Sequence, residues 1–453
     1  MFPRKATFQC GTHVPADKDL TNGLPIIKME SPEYVYLPFS MHIGAPAKPV
    51  VSIGEKVKLG QLVAAAQGFV SSNIHASVSG TVARFEKRYL PNGAPSDCIV
   101  IKNDGLDTLT DNIGHCREPL DITPENIRQL MLEKGIVGMG GAAFPTHVKY
   151  APLKNGQAID IVIINGIECE PYVTADHRIL LEYADKVVRG LKYFMLAAAA
   201  PKGIIAIEDN KPDAIALLTK LTANEPDISI VVCQEKYPQG SEKHLIYAVT
   251  GRTVPDKGLP SAVGVIVDNA GTAVQTTLAI ESNLPCFERV VTVSGDGVKR
   301  PGNYLVRIGS LYSDVVNKAA QGVKDNLSKI LCGGPMMGFA LGSLEYPVLK
   351  GTTGILVFTH DSALASLPSE QNCVRCGSCV DVCPMFLEPT VIVKAVKREK
   401  WLNAASANIA SCIECGCCSY TCPSHIPLVQ YIRMGKQFIM TDGTGGHNPL
   451  YKA

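Results

Sequence analysis

The sequence predicts a multi-domain α/β chain: a small β module first, an alternating α/β domain in the middle, a compact β unit after it, and a helical cysteine-rich domain last. Three observations carry this expectation. Residues 30–104 break into short strand phrases at glycine corners. From Asp121 onward, helical phrases alternate with apolar strand phrases. Residues 373–384, CVRCGSCVDVCP, and 412–423, CIECGCCSYTCP, each read C-x2-C-x2-C-x3-C-P.

The 453 residues allow about three domains, with enough apolar content to give each a core. Lys plus Arg number 43 against 42 Asp plus Glu, so no overall field favours nucleic acid or an anionic membrane surface. The opening MFPRKATFQCGTHVP has no apolar signal region, and no run of 18 uncharged apolar residues occurs. A cytoplasmic chain without a spanning helix is expected. Cys10, Cys98, Cys116, Cys169, Cys233, Cys286 and Cys332 are scattered and odd in number, which suits reduced thiols better than bridges. Cys10 and His13 have ligand-like spacing but no second pair nearby.

The first module, residues 1–110, holds VYLPF, PVVSIGEKVKLGQLVAAAQ, IHASVSGTVARFE and DCIVIKND. Alternation at Val57, Leu59 and Leu62, with Gly54, Gly60 and Gly80 at corners, argues a small all-β barrel. GEKVKLGQLV and IHASVSGTV resemble the biotinyl/lipoyl-carrier barrel, yet no lysine stands between Gln67 and Ser79 to carry a prosthetic group. A structural or docking barrel is therefore expected.

Over residues 111–288 the strand phrases are DIVIING (160–166), GIIAIED (203–209), ISIVVC (228–233) and VGVIVDN (263–269). Separated by helical phrases, they predict a mainly parallel sheet. In TPENIRQLMLEKG, Thr123 is the expected N-cap, with Pro124 and Glu125 in the first turn. Residues 289–345 hold two strand phrases around SGDG and then a short helix, a β-grasp-like unit. Residues 346–368 read as a linker and 369–436 as the cysteine domain, with one helix, TVIVKAVKREKWLNAASANI, between the two runs. Residues 437–453 include the glycine-rich TDGTGGHNPLYKA and read as a loose tail.

Metal geometry explains the cysteine spacing. Two residues between cysteines let one turn aim successive thiolates at one inorganic cube, while the fourth, followed by proline, faces the other way. On that rule Cys373, Cys376, Cys379 and Cys422 would hold one [4Fe-4S] cluster, and Cys412, Cys415, Cys418 and Cys383 the second. A four-cysteine zinc site would want two CxxC pairs and leave four thiols idle. A disulfide lattice would need an oxidising compartment. The spare Cys417 reads as a small buried side chain.

In the middle domain, GMGGAAFPTHVK (138–149) packs three glycines into four residues, which lets backbone lie against a flat ring or a phosphate. It is not G-x-G-x-x-G, and a tight turn in a packed domain explains it equally well. INGIECEP (164–171) ends a strand with Asn165, Glu168 and Glu170, at the edge where open α/β sheets bind ligands. These carboxylates could accept hydrogen bonds from ribose hydroxyls, or be solvated loop charges.

Taken together, GMGGAAFPTHVK, INGIECEP, YPQGSEKHLIYAVTGR, DNAGT and CGGPMMG resemble the flavin- and NADH-binding core shared by the C subunit of the Rnf electron-transport complex and the flavoprotein subunit of respiratory complex I. The barrel ahead, with HIGAPAKPVVSIGEKVKLGQ, and the paired cysteine runs behind match the Rnf C subunit in order over about residues 5–435. The resemblance implies that Gly138, Gly140, Gly141, Lys149 and Asn165 cradle noncovalent FMN. It implies that Phe144 stacks near the nicotinamide and that Glu168 and Glu170 face NADH. Tyr237, Gly240, Glu242, Asn269 and Thr272 would complete the flavin pocket, and residues 289–345 would be a unit of the SLBB type. Met139 stands where the complex I relative has arginine, and Ile167 where it has an acidic residue.

The implied chemistry is hydride transfer from NADH to FMN, then single electrons through two [4Fe-4S] clusters to an iron-sulfur partner subunit, and reversibly from ferredoxin to NAD. Membrane subunits would move Na+ or H+, with this chain docked on the cytoplasmic face. Two alternatives differ in what they require. A free-standing flavin and iron-sulfur reductase, such as a cobalamin reductase, places its barrel after the clusters. A plain electron carrier has no use for Gly138–Lys149 or for Glu168 and Glu170.

Overall fold

The computed structural model describes residues 5–111, 113–114, 122–153, 156–366 and 368–440; Cys116 and the tail beyond Met440 lie outside the described residues. The barrel is two antiparallel sheets. One runs Tyr34–Pro38, Pro95–Asn103, Gly80–Tyr89, Lys56–Val57; the other runs Lys48–Pro49, Leu62–Ala65, Ile74–His75. Period-two alternation turns Val35, Leu37, Val63, Val82, Ile99 and Ile101 inward, all fully buried. Gly80 is required where the strands cross, because a Cβ there would come 1.9 Å from the Lys102 carbonyl.

The central sheet is wholly parallel, in the order Ile228–Cys233, Lys202–Glu208, Ile161–Gly166, Val265–Asn269. Its middle strands are apolar on both faces, with Ile163, Ile164, Ile205, Ala206 and Ile207 fully buried, as helices on both sides demand. Thr123 caps the helix Pro124–Glu133, its Oγ1 accepting from Asn126 N at 3.2 Å. The chain steps outward from 161 to 228 and then returns to place Val265–Asn269 on the opposite side. The crevice at the carboxyl ends of Ile161–Gly166 and Val265–Asn269 is therefore the topological switch point.

The third unit is larger than expected. Its sheet runs Ile26–Lys28, Gly302–Arg307, Glu288–Ser294, Gly354–Thr359, Leu327–Cys332, Phe339–Leu341. Gly354–Thr359 falls within the expected linker 346–368, yet all six of its residues are buried between Glu288–Ser294 and Leu327–Cys332. GILVFT is covered on both faces, so it lacks the alternation that marks a strand. Ile26–Lys28 was expected in the barrel. It pairs with Asn303–Leu305 instead, and residues 5–28 run as a strap along the other units.

The cysteine domain shows a second correction: the single helix expected between the runs is two, Pro389–Val396 and Trp401–Ser406. Four consecutive charged residues, Lys397 to Lys400, separate them, with Glu399 left-handed at φ +54°. Trp401 then stacks on Phe438 at 4.8 Å, joining the second helix to Leu428–Met440. Among the described residues no helix is long and apolar enough to cross a membrane.

Candidate functional site

The two cysteine runs adopt one backbone twice, 39 residues apart. Left-handed residues recur at Arg375 and Glu414, Gly377 and Gly416, Phe386 and His425. Short helices follow at Ser378–Asp381 and Cys417–Tyr420, and longer ones begin at Pro389 and Leu428. Burial raises the Cys418 thiol, and the neighbours that raise it further include Cys415, Cys412 and Cys383. For Cys379, burial again dominates, and Cys422 and Cys376 are its charged neighbours. Cys383 and Cys422 thus stand near thiols of the other run, and Cys379 stands near Cys418 as well.

Cys383, Cys412, Cys415 and Cys418 line one cavity with Leu387, Ile392, Val429 and Ile432; this is the inner set. Cys373 and Cys376 of the outer set are exposed. Among the described residues no three His, Cys, Asp or Glu side chains are gathered closely enough for a single metal ion. A cube spaces its thiolates farther apart, one on each of its four irons. Two sets of four thiols in matched turns fit two [4Fe-4S] clusters.

At the switch point the glycine loop leaves the fold with its tip exposed at Gly140 and Gly141. Gly138 N donates to Phe144 O at 2.8 Å and closes the loop. Met139 N donates to Thr272 Oγ1 at 2.9 Å. A Cβ on Gly140 would sit 3.3 Å from that of Asn269, so the loop lies flat on the start of Ala270–Ser282. Phe144 is half-buried at the base of the loop. Asn165 Nδ2 donates to Gly240 O at 2.8 Å, tying the carboxyl end of Ile161–Gly166 to the YPQGSE turn. Lys149 Nζ donates to Val267 O at 2.6 Å and lies 3.2 Å from Asp268 Oδ1 and 3.9 Å from Glu242 Oε1. Burial lowers its pKa, but Asp268 and Glu242 outweigh it and the net shift is upward. Gly138, Gly140, Gly141, Lys149, Asn165, Gly240, Glu242, Asn269 and Thr272 are thus brought to one crevice.

Three expected site residues are already engaged within the fold. Glu168 caps Ala175–Glu182 by accepting from Asp176 N at 2.7 Å and His177 N at 3.1 Å. Glu170 accepts from Met336 N and Met337 N at 3.1 and 2.9 Å, holding the CGGPMMG turn. Tyr237, expected in the flavin pocket, directs its hydroxyl to the Cys415 carbonyl at 2.8 Å. Tyr237 is 2% exposed and packs with Cys415 and Cys417, so it belongs to the wall between the crevice and the inner thiols.

The sequence passed over several participants. Gln239, wholly buried next to Gly240, has no partner for either amide atom, and Thr146 Oγ1 at the base of the glycine loop has none either. Buried polar groups are almost always paired, so these atoms are exceptions within the fold. Asp176, hydrogen-bonded by Asn269 Nδ2 at 2.6 Å, is pushed up to about 7 by burial and then by Glu168. Gln239 lay inside a quoted motif; nothing in its local pattern marked it as buried and unpaired.

Comparison with known proteins follows the same map. Residues 6–106 match the RnfC barrel sandwich hybrid domain, 131–277 the Nuo51 FMN-binding domain, 290–340 the SLBB domain and 369–426 the 4Fe-4S dicluster domain. The C subunit of the Na(+)-translocating ferredoxin:NAD(+) oxidoreductase complex of Acetobacterium woodii is 43% identical over 447 residues, covering 99% of this chain and 100% of that one. The chain belongs to the family of Rnf C subunits. The C subunit of the proton-translocating ferredoxin:NAD(+) oxidoreductase complex of Clostridium ljungdahlii is 42% identical over 94% of this chain and 93% of its own. The C subunit of the ion-translocating oxidoreductase complex of Rhodobacter capsulatus is 39% identical over 94% and 82%. The barrel precedes the clusters, in the order expected of Rnf C and not of the cobalamin reductase.

Proposed function

We propose that this chain is the NADH-oxidising, reversibly NAD+-reducing peripheral subunit of a membrane-bound, ion-translocating ferredoxin:NAD+ oxidoreductase. It would be held on the cytoplasmic face by its partner subunits. The observation that carries this reading is the 2.8 Å hydrogen bond from Tyr237 to the Cys415 carbonyl, through which the flavin crevice and the inner thiols share one wall.

FMN, when bound, supplies the conversion between a two-electron hydride donor and one-electron acceptors, and each cluster carries one electron at a time. The residues do the rest. Gly138, Gly140 and Gly141 leave backbone open to a flat ring, and Lys149 and Asn165 offer a cation and an amide beside it. Asn269 and Thr272 fix the loop from beneath. Phe144 lies toward the nicotinamide side, with Glu168 and Glu170 setting the backbone around it. Cys383, Cys412, Cys415 and Cys418 would hold the inner cluster. Cys373, Cys376, Cys379 and Cys422 would hold the outer cluster, and the exposure of Cys373 and Cys376 would let a partner's redox centre approach it.

The test is anaerobic purification with iron, sulfide and flavin quantified together, followed by NADH titration. Flavin absorbance should bleach first and cluster absorbance next. Lys149→Met should weaken FMN binding by about tenfold or more, the scale of a lost charge-assisted hydrogen bond. A flavin-loaded, cluster-loaded chain that is inert to NADH would remove NADH from the scheme.

A further inference from the structure

The strap ahead of the barrel threads the seam of three units. Thr12 N donates to Tyr237 O at 2.8 Å, Gly11 N to Val382 O at 3.0 Å, and Tyr172 N to Ala16 O at 2.9 Å. Thr21 Oγ1 meets Thr174 Oγ1 at 2.7 Å. Between these contacts lies Lys18, only 8% exposed. Its ammonium donates to the carbonyls of Glu168 at 2.9 Å, Glu170 at 2.8 Å and Val173 at 2.5 Å. An ammonium has three N–H donors, and all three are used. A neutral amine would turn a lone pair toward one of these carbonyls, so the geometry calls for the charged form, even though burial works against it.

A second ammonium works on the same stretch. Lys211, 1% exposed, donates to Ile167 O at 2.7 Å. Four carbonyls between Ile167 and Val173 are therefore gathered by two buried cations. The stretch needs such a hold, because Glu168 and Tyr172 sit in the left-handed region at φ +49° and +65°, which side chains other than glycine avoid. It also carries Glu168 and Glu170, and Cys169, whose Sγ accepts from Gly240 N at 3.4 Å. Glu208 lies 3.3 Å from Lys211, and Glu168 and then Glu208 are the carboxylates that act on Lys18.

We infer that Lys18 is a positioning residue of the flavin and nucleotide site: its ammonium holds the Glu168–Val173 backbone in place, and its charge favours the reduced, anionic flavin over the oxidised one. This rests on the flavin reading of the crevice. A cation fixed close to a site that gains negative charge on reduction raises its potential, all the more when both are away from water. The residue lies outside the 131–277 span matched by the FMN-binding domain, so the site is completed by a segment that precedes the barrel.

The test uses the full chain, anaerobically loaded with flavin and clusters, as Lys18→Met, Lys18→Gln and, for the cradle itself, Lys149→Met. The flavin midpoint potential is read by spectroelectrochemistry, and FMN and NADH dissociation constants by fluorescence. Lys18→Met should keep FMN within about threefold, shift the flavin midpoint to more negative values and weaken NADH binding by about tenfold. Lys18→Gln keeps two donors without the charge. It should recover part of the NADH affinity and none of the potential, and it gives both readings should Lys18→Met fail to fold. An unchanged midpoint and unchanged NADH affinity in the Lys18 variants overturn the inference. Unchanged FMN affinity in Lys149→Met overturns the flavin cradle instead, whatever Lys18 does.

Discussion

Residues 373–386 and 412–425 share their spacing, their short helices and their three left-handed residues, yet they meet different surroundings. A Cβ built on Gly377 finds nothing within 4 Å, whereas one on Gly416 comes 2.8 Å from the Met336 carbonyl. The second run is pressed against the SLBB unit and Tyr237; the first faces solvent with Val374 and Phe386 67% and 68% exposed. Local sequence sets how thiolates are aimed, and tertiary contact sets which cluster is insulated. Solvent exposure and hydrogen bonding tune cluster potential, so one motif used twice yields two steps of unequal character.

Removing a crossing thiol tests the division most severely. Cys383→Ser should abolish the inner cluster and leave about half the iron, with NADH still bleaching flavin but no longer reducing the outer cluster. Cys422→Ser lies in the second run yet should delete the outer cluster and spare the inner one. Iron analysis with EPR of the NADH-reduced chain decides; loss of the inner signal in Cys422→Ser would break the exchange of fourth ligands. Chelation under mild oxidation sharpens the same contrast. The outer set should surrender iron first, because Cys373 and Cys376 are exposed while Cys415 and Cys418 are buried. Simultaneous loss would mean the burial difference is inconsequential.

Glycine substitutions separate backbone strain from contact. Gly377→Ala carries only the left-handed penalty, roughly 1–2 kcal/mol. Gly416→Ala adds a backbone collision and should cost about 1–3 kcal/mol more, seen as a lower midpoint in denaturant unfolding of the loaded chain. Equal destabilisation would show that the Met336 contact yields freely. Tyr237→Phe is milder. Losing its bond to the Cys415 carbonyl should cost about 1 kcal/mol, with the inner cluster potential moving and the outer one not.

The cluster domain was legible because a cube demands thiolates at fixed spacing whatever the surrounding fold. The rest of the 39-residue repeat was only partly legible: Gly377 and Gly416 mark one left-handed position, while the other two fall on arginine and glutamate, then on phenylalanine and histidine, with no shared residue type. The parallel strands were legible as continuous apolar runs covered on both faces. The same double burial hid Gly354–Thr359, which shows no alternation and reads as part of a linker. Lys18 was invisible for another reason: in sequence it stands between two aspartates in ADKD, like any solvated lysine, and only the fold turns it inward. The glycine loop by itself read equally well as a tight turn; resemblance to other chains gave it a flavin.

The smallest expected effect belongs to the outer surface. Phe386 and Val374 touch little within the chain, so Phe386→Ser should change stability by no more than about 0.5 kcal/mol. Flavin bleaching by NADH and reduction of both clusters should also be unchanged, because no step inside the chain crosses that surface. What should slow is electron delivery to the partner subunits, since an exposed apolar side chain beside the outer thiols gains most from being covered by another protein. Stopped-flow measurement with and without the partner subunits separates the two. Slowing confined to the partner arm assigns the outward-facing run to intermolecular transfer. Slowing of cluster reduction in the isolated chain would mean that the outer site is wired into the molecule more tightly than its exposure implies.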